Sequence, residues 1–328
     1  MSETNESHRV AGDTVHRLEF EVDWPPGHVA AYLIEGEEPI LIDAGMTGGT
    51  AEEELYDGLA AAGYEASDIG HVVLTHSHTD HVGQVQTVLD AGETTVYAPA
   101  RVRERFDRGL EAVEAATRRN LARAGVAEAY RTAMVDHLVD AHERNRDALA
   151  TAMVDHWIED GERLEVGGRS FDAIYAPGHH ITHLCYGTTL GDSRVLFAGD
   201  MAIEPFRSAA LQVNFDDGVD ESVDAFVEAL DRLSEYRFDR VYPGHGPVHD
   251  NFEDAIADSQ ADLEARIDRC AEAVAEGDGV TAAEVAEQQA ADLEDRGRIL
   301  SEVVGALSRL ADQGAVDVEM DGDVRRYF

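Results

Sequence analysis

The chain has 328 residues, of which 44% are hydrophobic, and its 26 basic and 67 acidic residues give a net charge of −41. The apolar content excludes a disordered acidic protein, because such chains have too few patterned apolar residues to build a core. The length allows one large domain with a smaller one beside it.

The charge balance also predicts the environment of the protein. All 26 basic residues are arginine, and the chain contains no lysine. A heavily carboxylated surface suits molar salt, where the Debye length shrinks to about 3 Å and dense like charge is tolerated. We therefore expect a salt-adapted archaeal or bacterial protein whose acidity concerns the solvent, with an ordinary acidic protein as the alternative.

Targeting and redox signals are weak. The two cysteines, Cys185 and Cys270, lack CxxC spacing, which argues against a disulfide framework or a thiolate metal site. Residues 1–13 are polar and carry no apolar core of a signal peptide. No apolar run approaches the roughly 18 residues that span a membrane. We expect a cytoplasmic protein with no membrane partner.

Strands and helices alternate in the first part of the chain. Apolar runs predict strands at residues 14–22, 29–34, 39–42, 71–74 and 95–98. Thr50 and Glu53 form a capping-box pattern at the start of a helix that Gly63 would end. A further helix is predicted at about residues 83–89. This alternation is typical of a layered α/β fold.

Residues 100–158 have a different pattern, which predicts a helical insertion. They contain no proline, and their apolar residues follow helical spacing as far as Leu149, Met153 and Trp157, with Gly125 separating two helices. The segment 132–137 recurs at 151–156, which we interpret as repeated core patterning. The insertion is either a lid over a substrate or a packing surface, including that of a homo-oligomer, and both interpretations stay open.

Sheet structure then returns, followed by a helical tail. Strands are predicted at residues 163–166, 170–175, 183–187, 195–198 and 239–242, with an amphipathic helix at 220–233. Three helices and a hairpin after residue 250 indicate a winged-helix-like domain. We expect a main domain at 14–250 and a C-terminal domain at 251–328. That domain could bind nucleic acid through Arg325 and Arg326, but its many carboxylates favour a scaffold or dimerisation role.

The strand at residues 71–74 leads into a run that packs three imidazoles and a carboxylate into six residues. Three further candidates lie in glycine-containing turns after later predicted strands. The seven candidates are His76, His78, Asp80, His81, His179, Asp200 and His245. Imidazole and carboxylate hold Zn²⁺ and similar ions, and two ions about 3.5–4 Å apart can share a bridging hydroxide and an aspartate.

The order of these residues predicts a binuclear site. One ion would take His76, His78 and His179, and the other would take Asp80, His81 and His245. Asp200 would bridge the two. Zinc is the expected metal, with iron or manganese as alternatives.

The run from His76 to His81 resembles the HxHxDH signature of the metallo-β-lactamase superfamily, and the later motifs match in order over about residues 14–250. The resemblance implies an αββα sandwich, and it implies that Asp43 hydrogen-bonds behind the metal ligands. His183 falls where family members often carry a further histidine, although Thr182 replaces the usual glycine before it. We expect His183 to support ligands, and the Pro-Gly before His179 favours that residue over His180 as the ligand. His137, His142, His156 and His249 lie outside these motifs and are expected not to be ligands.

The resemblance implies a hydrolase in which a hydroxide bridging two zinc ions attacks the substrate and Asp80 orients it. A small-molecule acyl substrate, as in hydroxyacylglutathione hydrolases, is the first expectation, although basic glutathione-binding residues cannot be placed. An endoribonuclease acting on RNA is the alternative, because residues 243–248 and the helical tail resemble that group. A persulfide dioxygenase with mononuclear iron is the third possibility. It ranks lower because all the expected ligands of a second metal ion are present, which favours hydrolysis. The complete ligand set also argues against a protein that only binds its partner.

Overall fold

The computed structural model describes residues 7–10, 13–291 and 293–328, excluding the side chains of residues 9, 10 and 293–295. Two mixed sheets pack face to face, and helices cover their outer faces. The αββα sandwich predicted from the sequence is confirmed.

The first sheet has seven strands in chain order, β1 to β7. They are Ser7–Val10, Asp13–Glu21, His28–Ile34, Ile40–Ile42, His71–Val73, Thr95–Pro99 and His156–Ile158. Neighbours from β1 to β4 are antiparallel, and those from β4 to β7 are parallel. The carboxyl ends of β4 and β5 therefore meet at one edge, where the HxHxDH run begins.

The second sheet has five strands, β8 to β12, in the spatial order β12-β11-β10-β9-β8. They are Arg163–Val166, Arg169–Tyr175, Leu184–Leu190, Ser193–Gly199 and Arg240–Pro243. Strands β9 and β11 are both antiparallel to β10, and β12 is parallel to β11. As a result β9, β11 and β12 all end at the same edge, and the three later candidate ligands follow these ends.

Several strands are apolar at consecutive positions because both faces of the strand are buried. Leu33 and Leu41 pack into the cluster beneath the outer helices, whereas Ile34 and Ile42 pack into the cluster between the sheets. This alternation is the period-2 side-chain direction of a strand, with an apolar layer on each side. The two layers fix the sheet edges that carry the candidate site.

Ten α-helices occur in the described residues, and none is long and apolar enough to cross a membrane. Helices α1 to α10 are Gly49–Ala62, Thr79–Val82, Val85–Ala91, Ala100–Phe106, Leu110–Arg123, Glu128–Ala148, Ser222–Ser234, Phe252–Glu276, Ala282–Gln289 and Leu293–Asp312. Short 3₁₀ turns lie at Ala66–Asp68, Thr151–Met153 and Val219–Glu221.

The first helix ends as predicted but begins differently. Gly63 adopts φ 86° and closes the helix, as the sequence indicates. The capping box at Thr50 is wrong, because the helix begins at Gly49 and its N-cap is Gly48, with no side-chain cap. Gly48 has φ 105°, a left-handed backbone that favours glycine.

The helical insertion is shorter than predicted. Its helices α4 to α6 end at Ala148, Met153 lies in a 3₁₀ turn, and Trp157 lies in strand β7. The backbone of Asp155 hydrogen-bonds to Val96, and β7 pairs with β6. Pairing with the sheet therefore overrides the helical spacing, and the second copy of the repeat is not α-helical.

The C-terminal part has the predicted three helices and hairpin. Thr281 and Glu284 form a reciprocal capping box at the start of α9. The hairpin strands β13 (Val318–Asp321) and β14 (Val324–Tyr327) pair with each other, and Tyr327 bridges to Val280 through two backbone hydrogen bonds. The winged-helix interpretation and the boundary at residue 250 stay predictions.

Candidate metal centre

The HxHxDH run is divided between a loop and a single helical turn. His76 and His78 follow β5 in a loop, whereas Asp80 and His81 lie in α2. His78 has extended backbone and is the N-cap residue of α2. A helical turn separates successive side chains by about 100°, so Asp80 and His81 can reach one centre from different directions.

At the edge of the second sheet, the backbone before two candidate ligands passes so close to neighbouring atoms that only glycine fits. Gly178 has φ +109°, and a Cβ there would lie 2.3 Å from Phe226 Cα. A Cβ on Gly244 would lie 2.6 Å from Asp200 Oδ1 and from His81 Cε1. The glycines preceding His179 and His245 therefore let these histidines enter the centre without displacing their neighbours.

The seven candidates meet in three overlapping groups whose ligand atoms lie within 4.8 Å of one another. The groups are His76, His78 and His179; His76, His81 and Asp200; and Asp80, His81 and His245. The first and third groups correspond to the two ion sets expected from the sequence. The middle group shares His76 with the first and His81 with the third, and adds Asp200.

Distances within the first group suit a metal ion. His78 Nδ1 lies 3.0 Å from His76 Nε2 and 3.1 Å from His179 Nε2. Ligand atoms on a tetrahedral zinc ion are about 3.3 Å apart, given a zinc–nitrogen distance of about 2.0–2.1 Å. The three nitrogens are therefore spaced as ligands of one small ion.

Asp200 contacts members of both outer groups. Its Oδ2 lies 3.1 Å from His179 Nε2 and 3.5 Å from His245 Nε2, and its Oδ1 lies 3.2 Å from His81 Nε2. In the third group, Asp80 Oδ2 lies 3.4 Å from His245 Nε2. Asp200 therefore lies between the two outer groups and contacts nitrogens of both.

Two buried atoms at this point are without hydrogen-bond partners. Among the described residues, His81 Nε2 and Asp200 Oδ1 are both buried and unpartnered, although they face each other. Buried polar atoms are rarely left in this state, and a cation between them would satisfy both. The side chains present therefore fit a divalent metal pair.

In three of the candidate histidines, the ring nitrogen that points away from the centre is hydrogen-bonded. This hydrogen bond fixes which nitrogen faces the centre. His81 Nδ1 donates to Asp43 Oδ2 (2.9 Å), His179 Nδ1 donates to the Ala209 carbonyl (3.1 Å), and His245 Nδ1 donates to the His28 carbonyl (2.7 Å). In each of these three rings Nε2 is then the nitrogen that faces the centre.

Asp43 is the main support behind the HxHxDH run. It has a left-handed backbone (φ 58°), and its carboxylate accepts from the Thr75 amide (2.8 Å), the Thr75 hydroxyl (2.8 Å) and His81. Since the Thr75 hydroxyl donates to Asp43, it can accept from His76 Nδ1 at 3.0 Å. One carboxylate thus orients two of the candidate ligands, in the position that the resemblance implied.

The protonation states follow from burial and from the neighbouring charges. Burial, and then neighbouring imidazoles, lower the pKa of His76 well below its ordinary value and that of His78 to about 3. Burial alone would also lower the pKa of His81, but the carboxylates of Asp200, Asp80 and Asp43 outweigh it and raise this pKa. His76 and His78 are therefore neutral, whereas His81 holds a proton that a metal ion would displace, because metal and proton compete for the same imidazole nitrogen.

His183 and His180 lie beside the centre but outside the three groups. His183 Nε2 accepts from the Asp200 amide at 3.0 Å, and His180 Nδ1 is paired with Thr182 Oγ1 at 2.8 Å. His183 therefore holds the backbone of Asp200.

The histidines expected not to be ligands are likewise absent from the metal groups formed by the described side chains. His137 and His156 are exposed. His142 is buried in the insertion, and His249 bonds to the Ala202 carbonyl.

The sequence did not reveal one long-range support. Residues 207–210 run beside the centre: Ser208 Oγ donates to the Asp200 carbonyl (2.6 Å), and Ala209 accepts from His179. Glu302 of α10 holds this segment by accepting from the Ala210 amide (3.1 Å) and from Arg207 (2.9 and 3.0 Å). The C-terminal part therefore supports the metal centre from about a hundred residues away, with no local sequence signal.

The chain resembles known proteins in sequence and in fold. The sequence model of the Metallo-beta-lactamase superfamily matches residues 24–245. A crystal structure of a metallo-beta-lactamase family protein from Thermus thermophilus superposes with a TM-score of 0.74 at 25% identity, covering 96% of this chain and 98% of that one.

Two relatives match this chain over different lengths. The Beta-lactamase-like protein 2 homolog of Caenorhabditis elegans is 24% identical over 293 residues, covering 87% of this chain and 79% of that protein. The Atrochrysone carboxyl ACP thioesterase of Emericella nidulans is 27% identical over 185 residues, covering 52% of this chain and 53% of that protein. The match to the thioesterase therefore spans about half of each protein.

Proposed function

The chain belongs to the metallo-β-lactamase superfamily, and we propose that it is a binuclear zinc hydrolase of small acyl thioesters. The observation that carries the proposal is the convergence of five imidazoles and two carboxylates in three overlapping groups. Such a set at two sheet edges is suited to hydrolysis by two metal ions.

We assign the ligands from the contacts within these groups. The proposed ligands are His76, His78 and His179 for one ion, Asp80, His81 and His245 for the other, and Asp200 between them. Two ions held there would supply Lewis acidity and lower the pKa of a coordinated water towards neutrality.

The protein side chains orient the reacting groups. Asp80 is the carboxylate that we assign to hold and orient the attacking water, and Asp43 and His183 fix the ligands from behind. A cysteine nucleophile does not fit, because burial raises the pKa of Cys185 far above its ordinary value. The reaction therefore needs no covalent protein intermediate.

Thioesters are favoured over RNA by two observations. One relative is named a thioesterase, and its match covers about half of this chain. The hairpin arginines that could meet a phosphate backbone are paired, Arg325 with Asp220 (2.7 Å) and Arg326 with Asp321 (3.1 Å). Nucleic-acid binding depends on basic side chains that neutralise phosphates, so this hairpin is a poor RNA surface.

The test is an activity screen with stripped and zinc-loaded protein in molar KCl. The substrates are thioesters of glutathione and of pantetheine-type thiols, lactones, and a structured RNA. We expect zinc-dependent thioester cleavage that His76→Ala abolishes and the exposed control His137→Ala leaves intact.

Other outcomes would overturn the proposal. Cleavage of RNA alone, lost in His76→Ala, would show an endoribonuclease. About one iron per chain with persulfide-dependent oxygen uptake would show a dioxygenase.

A further inference from the structure

Two adjacent histidines lie close enough to the first metal group to compete for one ligand position. The ring centroid of His78 lies 5.0 Å from that of His179 and 4.5 Å from that of His180. From the ring centroid of His76, the corresponding distances are 5.2 Å and 5.9 Å. Both imidazoles are also buried. Proximity alone therefore does not decide which of the two completes the group.

The backbone around the two histidines is held by Gln212, a residue of a distant loop that is 7% exposed. Its side-chain Oε1 accepts from the Gly178 amide at 2.8 Å. Its backbone amide lies 2.8 Å from the Gly178 carbonyl and 3.0 Å from the His179 carbonyl, and its carbonyl accepts from the Ile181 amide at 2.9 Å. Gln212 therefore fixes the chain on both sides of His179 and His180.

Gln212 itself has a backbone conformation that residues with side chains rarely adopt. Its φ is 53°, in the left-handed region. Such conformations persist only where the surrounding contacts impose them, and they gather at functional sites. The loop that carries Gln212 is anchored before it by Glu302, which accepts from the Ala210 amide at 3.1 Å, and after it by Asn120, which donates to the Phe215 carbonyl at 3.0 Å. The position of Gln212 is therefore imposed from outside its own segment.

Thr182 controls the tautomer of the His180 ring. Its amide lies 3.3 Å from His180 Nδ1, and its hydroxyl lies 2.8 Å from the same nitrogen. Because an amide N–H can only donate, Nδ1 is an acceptor and the ring proton is on Nε2. A metal ligand must present a deprotonated nitrogen, and moving the proton to Nδ1 would set it against the Thr182 amide hydrogen.

His179 has the opposite arrangement. Its Nδ1 donates to the Ala209 carbonyl at 3.1 Å, so Nε2 faces the centre, 3.1 Å from His78 Nδ1. The two neighbouring rings are therefore prepared for different roles by the groups that contact their Nδ1 atoms.

We propose that Gln212 and Thr182 together select His179, and exclude His180, as the third imidazole ligand of the first ion. Gln212 sets where the two rings enter the centre, and Thr182 sets which nitrogen of His180 carries the proton. Both are positioning residues, because neither belongs to the three groups of ligand atoms. The proposal rests on the metal-dependent function proposed above and is independent of the substrate.

The first test is nitrogen-15 NMR of the histidine rings in protein loaded with cadmium-113, in which a one-bond coupling marks each ligand nitrogen. The wild-type protein should show coupling to His179 and none to His180, with the two signals assigned through His179→Ala and His180→Ala. In Gln212→Leu the Gly178 amide loses its acceptor, so a coupling to His180 should appear. Gln212→Glu keeps an acceptor oxygen and should give the wild-type pattern.

The second test is zinc titration against a competing chelator. In the wild-type background, His179→Ala should weaken binding of one ion and His180→Ala should leave both affinities unchanged. In the Gln212→Leu background, adding His180→Ala should weaken zinc binding by a further factor of about ten or more. Such non-additivity distinguishes ligand selection from simple support of the fold.

The outcomes separate the two proposals. If His180→Ala has no effect in either background and no coupling to His180 appears in Gln212→Leu, the selection is overturned while the metal centre stands. Coupling to His180 in the wild-type protein would also overturn it. A wild-type protein that binds neither cadmium nor zinc would overturn the metal-dependent function as well. If Gln212→Leu does not fold, Thr182→Gly, which removes the hydroxyl 2.8 Å from His180 Nδ1, provides the same comparisons.

Discussion

Replacing Glu302 with glutamine should weaken both the fold and the metal centre. The carboxylate is 2% exposed and accepts from Arg207 (2.9 and 3.0 Å), from Arg266 Nε (2.9 Å) and from the Ala210 amide (3.1 Å). Glutamine keeps the size of the side chain but removes its charge. It also turns an amide donor towards groups that are themselves donors.

The expected loss of stability follows from Arg207, the buried partner that loses its main carboxylate in Glu302→Gln. Arg207 is 5% exposed, and its other carboxylate neighbour is Asp262 at 2.9 Å, which is 56% exposed. Removing one partner of a buried ion pair costs about 3–5 kcal/mol. Because Asp262 still offsets part of the buried charge, we expect the free energy of unfolding to fall by about 2–4 kcal/mol.

The metal centre should respond as well. Residues 207–210 carry the Ala209 carbonyl that orients His179 and the Ser208 hydroxyl that bonds to the Asp200 carbonyl. Loss of such outer supports typically costs about 10–100-fold in metal affinity. We therefore expect zinc affinity to fall at least about tenfold in Glu302→Gln.

Urea unfolding of metal-free protein and zinc titration against a competing chelator measure the two effects. Glu264→Gln is the matched control, since Glu264 is exposed on α8. Unfolding free energies within about 0.5 kcal/mol of wild type would refute the reasoning, because surface substitutions lie in that range.

The pH dependence gives an independent check. Burial alone would raise the pKa of Glu302, but Arg207, the Ala210 amide and Arg266 outweigh it and lower the pKa below its ordinary 4.5. A lowered pKa gives stability that is present above pH 4.5 and lost as the pH falls through the folded-state value. The difference between wild type and Glu302→Gln should therefore shrink in acid, and a constant difference would contradict the ion-pair explanation.

Three further predictions concern the metal centre. Asp43→Asn cannot accept from both Thr75 and His81, so zinc affinity should fall about 10–100-fold in a chelator competition. Gly244→Ala places a Cβ 2.6 Å from Asp200 Oδ1, so zinc per chain measured by mass spectrometry should fall, while Gly297→Ala, in open space, should bind as wild type. Saturating zinc should raise the free energy of unfolding by about 4 kcal/mol at a thousandfold excess over its dissociation constant, and an unchanged urea midpoint would argue against a native-state metal site.

The strands and the candidate ligands follow from the sequence alone. Strands alternate or run apolar because their side chains have a period of two, and this pattern is local. The HxHxDH run is also local, with four candidates in the six residues from His76 to His81. Both could be predicted because the physical cause of each lies within a few consecutive residues.

Two predictions from local sequence patterns were wrong. The spacing of Met153 and Trp157 predicted helix, but pairing with β6 placed Trp157 in a strand. The capping box at Thr50 failed because Gly48 supplies the left-handed turn at the helix start. At Trp157 the hydrogen bonds of the neighbouring strand outweighed the helical spacing.

The way the centre is held depends on tertiary contacts. The nitrogen that each imidazole presents depends on Asp43, on the Ala209 carbonyl and on the His28 carbonyl. The support from Glu302 likewise joins residues about a hundred positions apart. Such contacts have no local sequence signature, because they form only when sheet edges and the C-terminal helices are packed together.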